Sequence, residues 1–387
     1  MQTASQEGPK RPSPFVRLDY LDALRGYAAL YVLLFHVAWL PEDRLALPAW
    51  MSDYVLNGST GVDLFFVLSA FALSYSLDAR HGERHLIRHF YIRRFFRIAP
   101  LFYVMMAFYY AKDLWQTGTW HSGSEVLINA SLLFNLFPSH ILGYVWASWT
   151  IGVEVLFYLV FPLIFSRVRG VGGTAALFLI TALGANAWSF LLDHYGVASG
   201  YLTPDQLETV RHHSFLSALP VFVSGMLAYR LHSGYLARLG APSRRRLGSL
   251  LILLFAALYW ALLDERLHGL LWDEQVWLGP IYACLVLGLA LRPAKLLVNG
   301  ITVRLGKVSY SLYLLHPSLV VFLAPAYHLL YTWIPSTTGA FLAAFAVTAL
   351  MLTAASALSY KAIERAGMRL GERVIARGSR PSLLATP

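Results

Sequence analysis

The chain has 387 residues, of which 57% are hydrophobic and 13% charged, and its mean hydropathy is +0.54. Soluble domains carry about 25% charged residues, so a disordered chain, a soluble nucleic-acid binder and a secreted disulfide scaffold are all excluded. The single cysteine, Cys284, leaves no disulfide framework and no thiolate metal cage.

Residues 1–16 are polar, with prolines at 9, 12 and 14, and read as a disordered tail without a cleavable signal. Apolar runs of transmembrane type then recur at 18–39, 60–77, 98–111, 148–166, 174–192, 214–231, 247–263, 276–291, 308–331 and 339–360. The third is short and aromatic. A further stretch at 126–137 ends at Pro138 and reads as interfacial or re-entrant. The expected fold is all-α: about ten transmembrane helices in one domain over 17–366, with a basic, cytoplasmic tail at 367–387, disordered from 370.

With the N-terminus inside, 26 of the 31 lysines and arginines fall on the cytoplasmic side, including Arg80 to Arg97, Arg244 to Arg246 and the tail. The opposite loops hold acids such as Asp43, Asp205, Glu208, Asp264 and Glu274. The net charge of +10 therefore marks a membrane face, with both termini cytoplasmic, and not a nucleic-acid footprint. His81, His85 and His89 have i, i+4 spacing but alternate with Arg84 and Arg88. That pattern points to a basic amphipathic helix on the membrane surface; no metal site is expected.

Ionisable groups within spans are costly and mark functional sites. The first span holds Asp19, Asp22, Arg25 and His36. Eleven residues, about three turns and 16 Å, put Arg25 and His36 on one face. Arg25 is then near the cytoplasmic end, paired with Asp22, and His36 lies in the outer half. Asp63, in GVDLFFVLSAF, sits shallowly in the outer half of the second span and doubles as an N-cap candidate. Glu154, in SWTIGVEVLFYLVFPL, lies one or two turns deep in the fourth. The three would meet at one level, and a carboxylate beside an imidazole makes a general base. Arg93, Arg94 and Arg97 crowd the cytoplasmic mouth, where guanidinium forks suit phosphate and also suit anionic lipid. Tyr310, Tyr313 and His316 fall in the inner half of the ninth span, where Pro317 frees backbone acceptors.

These segments resemble the membrane-bound acyltransferase-3 family. The resemblance rests on LDALRGYAALYVLLFH, GVDLFFVLSAF, RRFFRIAP, SWTIGVEVLFYLVFPL and SYSLYLLHP, in order, over residues 17–366. The closing YKAIERAG is similar too, with Ala366 where a proline is common. It implies transfer of an acyl group, usually acetyl from acetyl-CoA, to a hydroxyl of a carbohydrate, glycolipid or natural product, in a bacterial inner membrane. Carried over by position, His36 is the catalytic histidine, Arg25 its partner, Arg93, Arg94 and Arg97 the arginine motif, and Glu154 the acid of the fourth span. Asp63 joins His36 and Glu154 as a catalytic candidate, and Tyr313 and His316 join the arginines as donor-binding candidates. His36 would act as general base or carry the acyl group. An appended hydrolase-like domain, found in some members, is not expected here. A transporter using the same buried charges as a proton relay is the competing reading, although no internal repeat supports it.

Overall fold

The computed structural model describes residues 17–200, 202–264 and 273–378; the tails expected at 1–16 and 379–387, and Arg266 and Trp272, lie outside these. Among the described residues the chain is helical, with no strand. Ten long helices form the body: α1 Asp19–Trp39, α2 Gly61–Ala79, α3 Leu86–Thr117, α4 Trp149–Arg167 and α5 Gly170–Leu191, then α6 Phe215–Gly234, α7 Ala241–Leu263, α8 Glu274–Leu291, α9 Ser309–Trp333 and α10 Thr337–Ser359. Nine segments among the described residues are long and apolar enough to cross a membrane, so this is a polytopic, all-α membrane protein. The exception is α3. Its apolar part, expected at 98–111, continues a helix that begins at Leu86 and carries Arg88, Arg93, Arg94 and Arg97.

Close backbone approach decides which helices are central. Gly225 of α6 faces the carbonyl of Val67 on α2, where any Cβ would overlap it. Gly26 of α1 packs on a short helix, Gly300–Lys307, whose Gly306 in turn lies against the Asp22 backbone. Thus α1 contacts α2, α8, α9 and α10, and α6 contacts α2, α4, α5 and α8. By contrast, only 17% of the apolar window of α5 and of α7 is buried. Those two are edge helices whose leucines face lipid.

Two expectations change. The tail from 370 is not disordered as far as Gly378: after a π-turn at Tyr360–Glu364, α11 (Arg365–Gly378) lies along α3. Gly367 and Gly371 meet Phe96 and Pro100, while Arg369, Glu372, Arg373 and Arg377 stay exposed. One-sided burial at helical spacing suffices to order such a segment. Nor do residues 81–89 form one amphipathic helix. α2 ends at Ala79, and α3 starts after His85, which adopts a left-handed conformation (φ 59°). The stretch 126–137 divides into a short helix, Gly123–Ala130, and 3₁₀ turns.

Candidate active site

Near the end of the bundle where α2 stops and α3 begins, the arginine cluster divides. Arg93 is clasped by Glu83 of the α2–α3 loop through Nη1–Oε1 (3.0 Å) and Nη2–Oε2 (2.9 Å). His89 adds Nδ1–Oε1 at 2.7 Å. Burial alone would raise the Glu83 carboxyl, but the hydrogen bonds from Arg93 and His89 outweigh it and hold Glu83 below the usual carboxylate range. Arg93 is thus committed to the loop. Its neighbours turn inward instead.

Arg94 and Arg97 line an interior cavity of about 90 Å³ with Arg25, Glu154, Tyr158, Ser69, Ser309, Tyr310 and Tyr313. The guanidinium of Arg94 lies over the rings of Phe90 and Tyr158, 5.9 Å from each centroid. Its Nε is buried without a partner. Arg25 reaches Asp22 at 3.6 Å, and Asp22 is bonded in turn by Arg17. Glu154 is oriented by two donors on one oxygen: Ser69 Oγ at 2.6 Å and Tyr158 Oη at 2.5 Å. Tyr310 Oη donates to the Ile98 carbonyl (2.9 Å), fixing α9 against α3. Three guanidinium groups therefore line one small cavity with one carboxylate, Glu154.

The histidines stand apart from this cavity; neither His36 nor His316 is among its lining residues. Their rings meet edge to face, with centroids 4.6 Å apart. His36 Nδ1 bonds the Val32 carbonyl at 2.8 Å, and His316 Nδ1 bonds the Tyr313 carbonyl. Pro317 explains the second bond: having no N–H, it leaves the carbonyl four residues back, that of Tyr313, free to accept. The Tyr313 ring, whose side chain lines the cavity, is 5.4 Å from that of His316.

This arrangement corrects two expectations. His316 is not deeper toward the cytoplasm than His36. The two rings are 4.6 Å apart, so α9 is set against α1 with His316 at the level of His36. Nor does either acid pair with His36. Glu154 is held by Ser69 and Tyr158. Asp63, in the first turn of α2, faces α8, with Gln275 Nε2 at 3.4 Å. Asp63 belongs to a second cavity of about 600 Å³, at the end where α1 finishes, lined also by Trp149, Asp193, Arg211, His213 and Gln275.

Sequence reasoning missed Ser69, Tyr158 and Glu364. The last is buried at the π-turn, bonded by Ser311 and in electrostatic contact with Arg97. Tyr158 was legible as the i+4 neighbour of Glu154; Glu364 only as an acid at the close of an apolar run.

Residues 18–360 match the acyltransferase domain of the acyltransferase-3 family. The chain belongs to that family. It is 26% identical to the "Putative membrane-bound transacylase BcsY" of Komagataeibacter xylinus, over 94% of this chain and 87% of that protein. It is 32% identical to the acyltransferase MdmB of Streptomyces mycarofaciens over 41% of this chain and 42% of MdmB. A "Putative O-acetyltransferase" of Staphylococcus aureus (strain COL) is 23% identical over 79% of this chain. The chain matches about half the length of that last relative, 51%. No solved structure is significantly similar.

Proposed function

We propose that this protein is an integral-membrane O-acyltransferase that moves an acyl group, most simply acetyl, from cytosolic acyl-CoA to a hydroxyl of a carbohydrate or glycolipid. The observation that carries the reading is the cluster of three guanidinium groups on one cavity. Buried charge persists when paired: Arg25 has Asp22 and Arg97 has Glu364 beside the shared Glu154, but the Nε of Arg94 is buried without a partner. An anionic donor supplies one. At about 90 Å³ the cavity admits several waters, and Arg94 and Arg97 present guanidinium forks there that suit a donor phosphate.

His36 is the base. Its Nδ1 carries the hydrogen donated to Val32, so Nε2 presents a lone pair. The acceptor hydroxyl gives its proton to that nitrogen while its oxygen attacks the thioester carbonyl. The acceptor approaches from the end holding the Asp63 cavity, whose Trp149, Gln275 and carboxylates suit a sugar's faces and hydroxyls. The location that fits is a bacterial inner membrane, where the arginine end meets cytosolic CoA.

The test is His36→Gln, which keeps a hydrogen-bonding side chain but cannot take a proton near neutrality. With radiolabelled acetyl-CoA and membranes carrying the native acceptor, label incorporation should fall about 10²–10⁴-fold, with CoA affinity unchanged. Retention of more than about a tenth of the activity would remove His36 from proton transfer.

A further inference from the structure

Between α8 and α9 the chain reads RPAKLLVNGITVRLGKV, residues 292–308, with four basic residues and no acid. α8 ends at Leu291 and α9 starts at Ser309, and both are long and apolar enough to cross a membrane. The segment that links them therefore lies at the level of the lipid headgroups. One side of it is taken up by the bundle: Gly306 lies against the Asp22 backbone, and Leu297, Val298 and Leu305 pack on neighbouring apolar side chains. Two aliphatic side chains turn the other way. Leu296 is 86% exposed and Ile301 72%. Ile301 and Arg304, three residues apart on the Gly300–Lys307 helix, share the face opposite Gly306. Arg292 donates to Ser249 Oγ of α7, whereas Lys295, Arg304 and Lys307 are exposed, with no acid in the segment to pair with them.

Water would accept the three cations but not the two aliphatic chains. The boundary between phosphate headgroups and acyl chains accepts both. We infer that residues 292–307 form an interfacial anchor for an anionic phospholipid leaflet: Leu296 and Ile301 enter the acyl boundary while Lys295, Arg304 and Lys307 meet the lipid phosphates. The charge makes the leaflet anionic, since a zwitterionic surface offers no excess of phosphate over amine to three unpaired cations. The anchor also bears on the cavity. Its helix packs on Gly26 of α1, the residue after Arg25, so the leaflet that holds this helix steadies the end of α1 that carries Arg25.

The experiment uses the full chain with Cys284→Ser, which removes its single cysteine, and with Leu296→Cys or Ile301→Cys carrying an environment-sensitive fluorophore. The protein is placed in nanodiscs of an equal mixture of phosphatidylcholine and phosphatidylglycerol, with a nitroxide near the headgroup of one lipid or the other. Both labels should be quenched by lipid nitroxide and protected from aqueous iodide. Nitroxide on phosphatidylglycerol should quench severalfold more than nitroxide on phosphatidylcholine, and raised salt should weaken that preference. Lys295→Gln/Arg304→Gln/Lys307→Gln should abolish it. Quenching by iodide and not by lipid would place the segment in water. Equal quenching by the two lipids would remove the anionic partner, and an unchanged preference in the triple variant would assign it to other basic segments. Labels shielded from both quenchers, with disulfide-linked dimers of unlabelled Ile301→Cys, would make the surface a contact between two copies of the chain. Each of these four results overturns the anchor.

Discussion

Arg93, Arg94 and Arg97 lie within five residues, and Arg93 and Arg97 even share a helix face, so it is the Glu83 clasp that separates them. Arg93 meets Glu83, whereas Arg94 and Arg97 turn to the cavity. Replacing Arg94 or Arg97 with Ala should weaken CoA binding about ten- to hundredfold, the loss of a charge-assisted hydrogen bond of about 1.5–3 kcal/mol. Arg93→Ala should leave CoA affinity unchanged and lower the thermal midpoint, as should Glu83→Gln. The pH dependence has a definite sign. Glu83 is held low in the folded chain, so its contribution is full above the ordinary glutamate range, about 4.3. It fades as pH falls through the lowered value. The midpoint gap between parent and Glu83→Gln should therefore be open at pH 6, begin to narrow near the ordinary glutamate value of about 4.3, and close once pH is below the lowered value. Calorimetry in detergent across pH reads it; a gap that persists in acid removes the clasp. The sequence made the arginine run visible but not its division, because the partner that claims Arg93 sits ten residues earlier in a loop. The His36–His316 contact was hidden for a similar reason: it depends on how α9 is set against α1.

Whole helices were easier to read than their partners. All ten apolar runs fall within long helices, nine of them with ends shifted by six residues or fewer, because burial in lipid needs little beyond length and hydropathy. The arginines of α3 masked its first three turns, and the polar look of α11 masked an apolar edge spaced for Phe96 and Pro100. Packing between helices is where single residues decide. At Gly225 a Cβ would overlap the Val67 carbonyl and lie 2.9 Å from the Ala70 Cβ. Gly225→Val should force α6 from α2, at a cost of about 1–3 kcal/mol, and lower the thermal midpoint in detergent. Gly184→Val, on edge helix α5 where a Cβ meets nothing within 4 Å, is the control and should leave the midpoint close to the parent. Equal behaviour of the two would mean that α2 and α6 are not in close backbone contact.

At the scale of the molecule, the donor and acceptor ends depend on one helix. Among the described residues nine helices besides α3 are long and apolar enough to cross; if those nine cross, Arg17 and Arg377 fall on opposite sides without α3 and on one side with it. From Ile98 to Ala111, α3 rises only about 21 Å at 1.5 Å per residue, short of a hydrocarbon core of about 30 Å. The helix itself continues past this apolar part at both ends, from Leu86 to Thr117, and Pro100 is accommodated against Gly367 of α11. The basic residues follow the same pattern, since 26 of the 31 lie on one side if α3 crosses. Reporter fusions after residues 45, 120 and 205 should therefore read outside, and fusions after 85, 170, 240 and 298 inside. The pair at 85 and 120 is decisive. If both report the same side, α3 lies in the interface, every later loop changes face, and the arginine-lined cavity loses its access to cytosolic CoA. If they report opposite sides, Arg94 and Arg97 enter from the cytoplasm, and the cavity at Asp63 and Trp149 opens away from it.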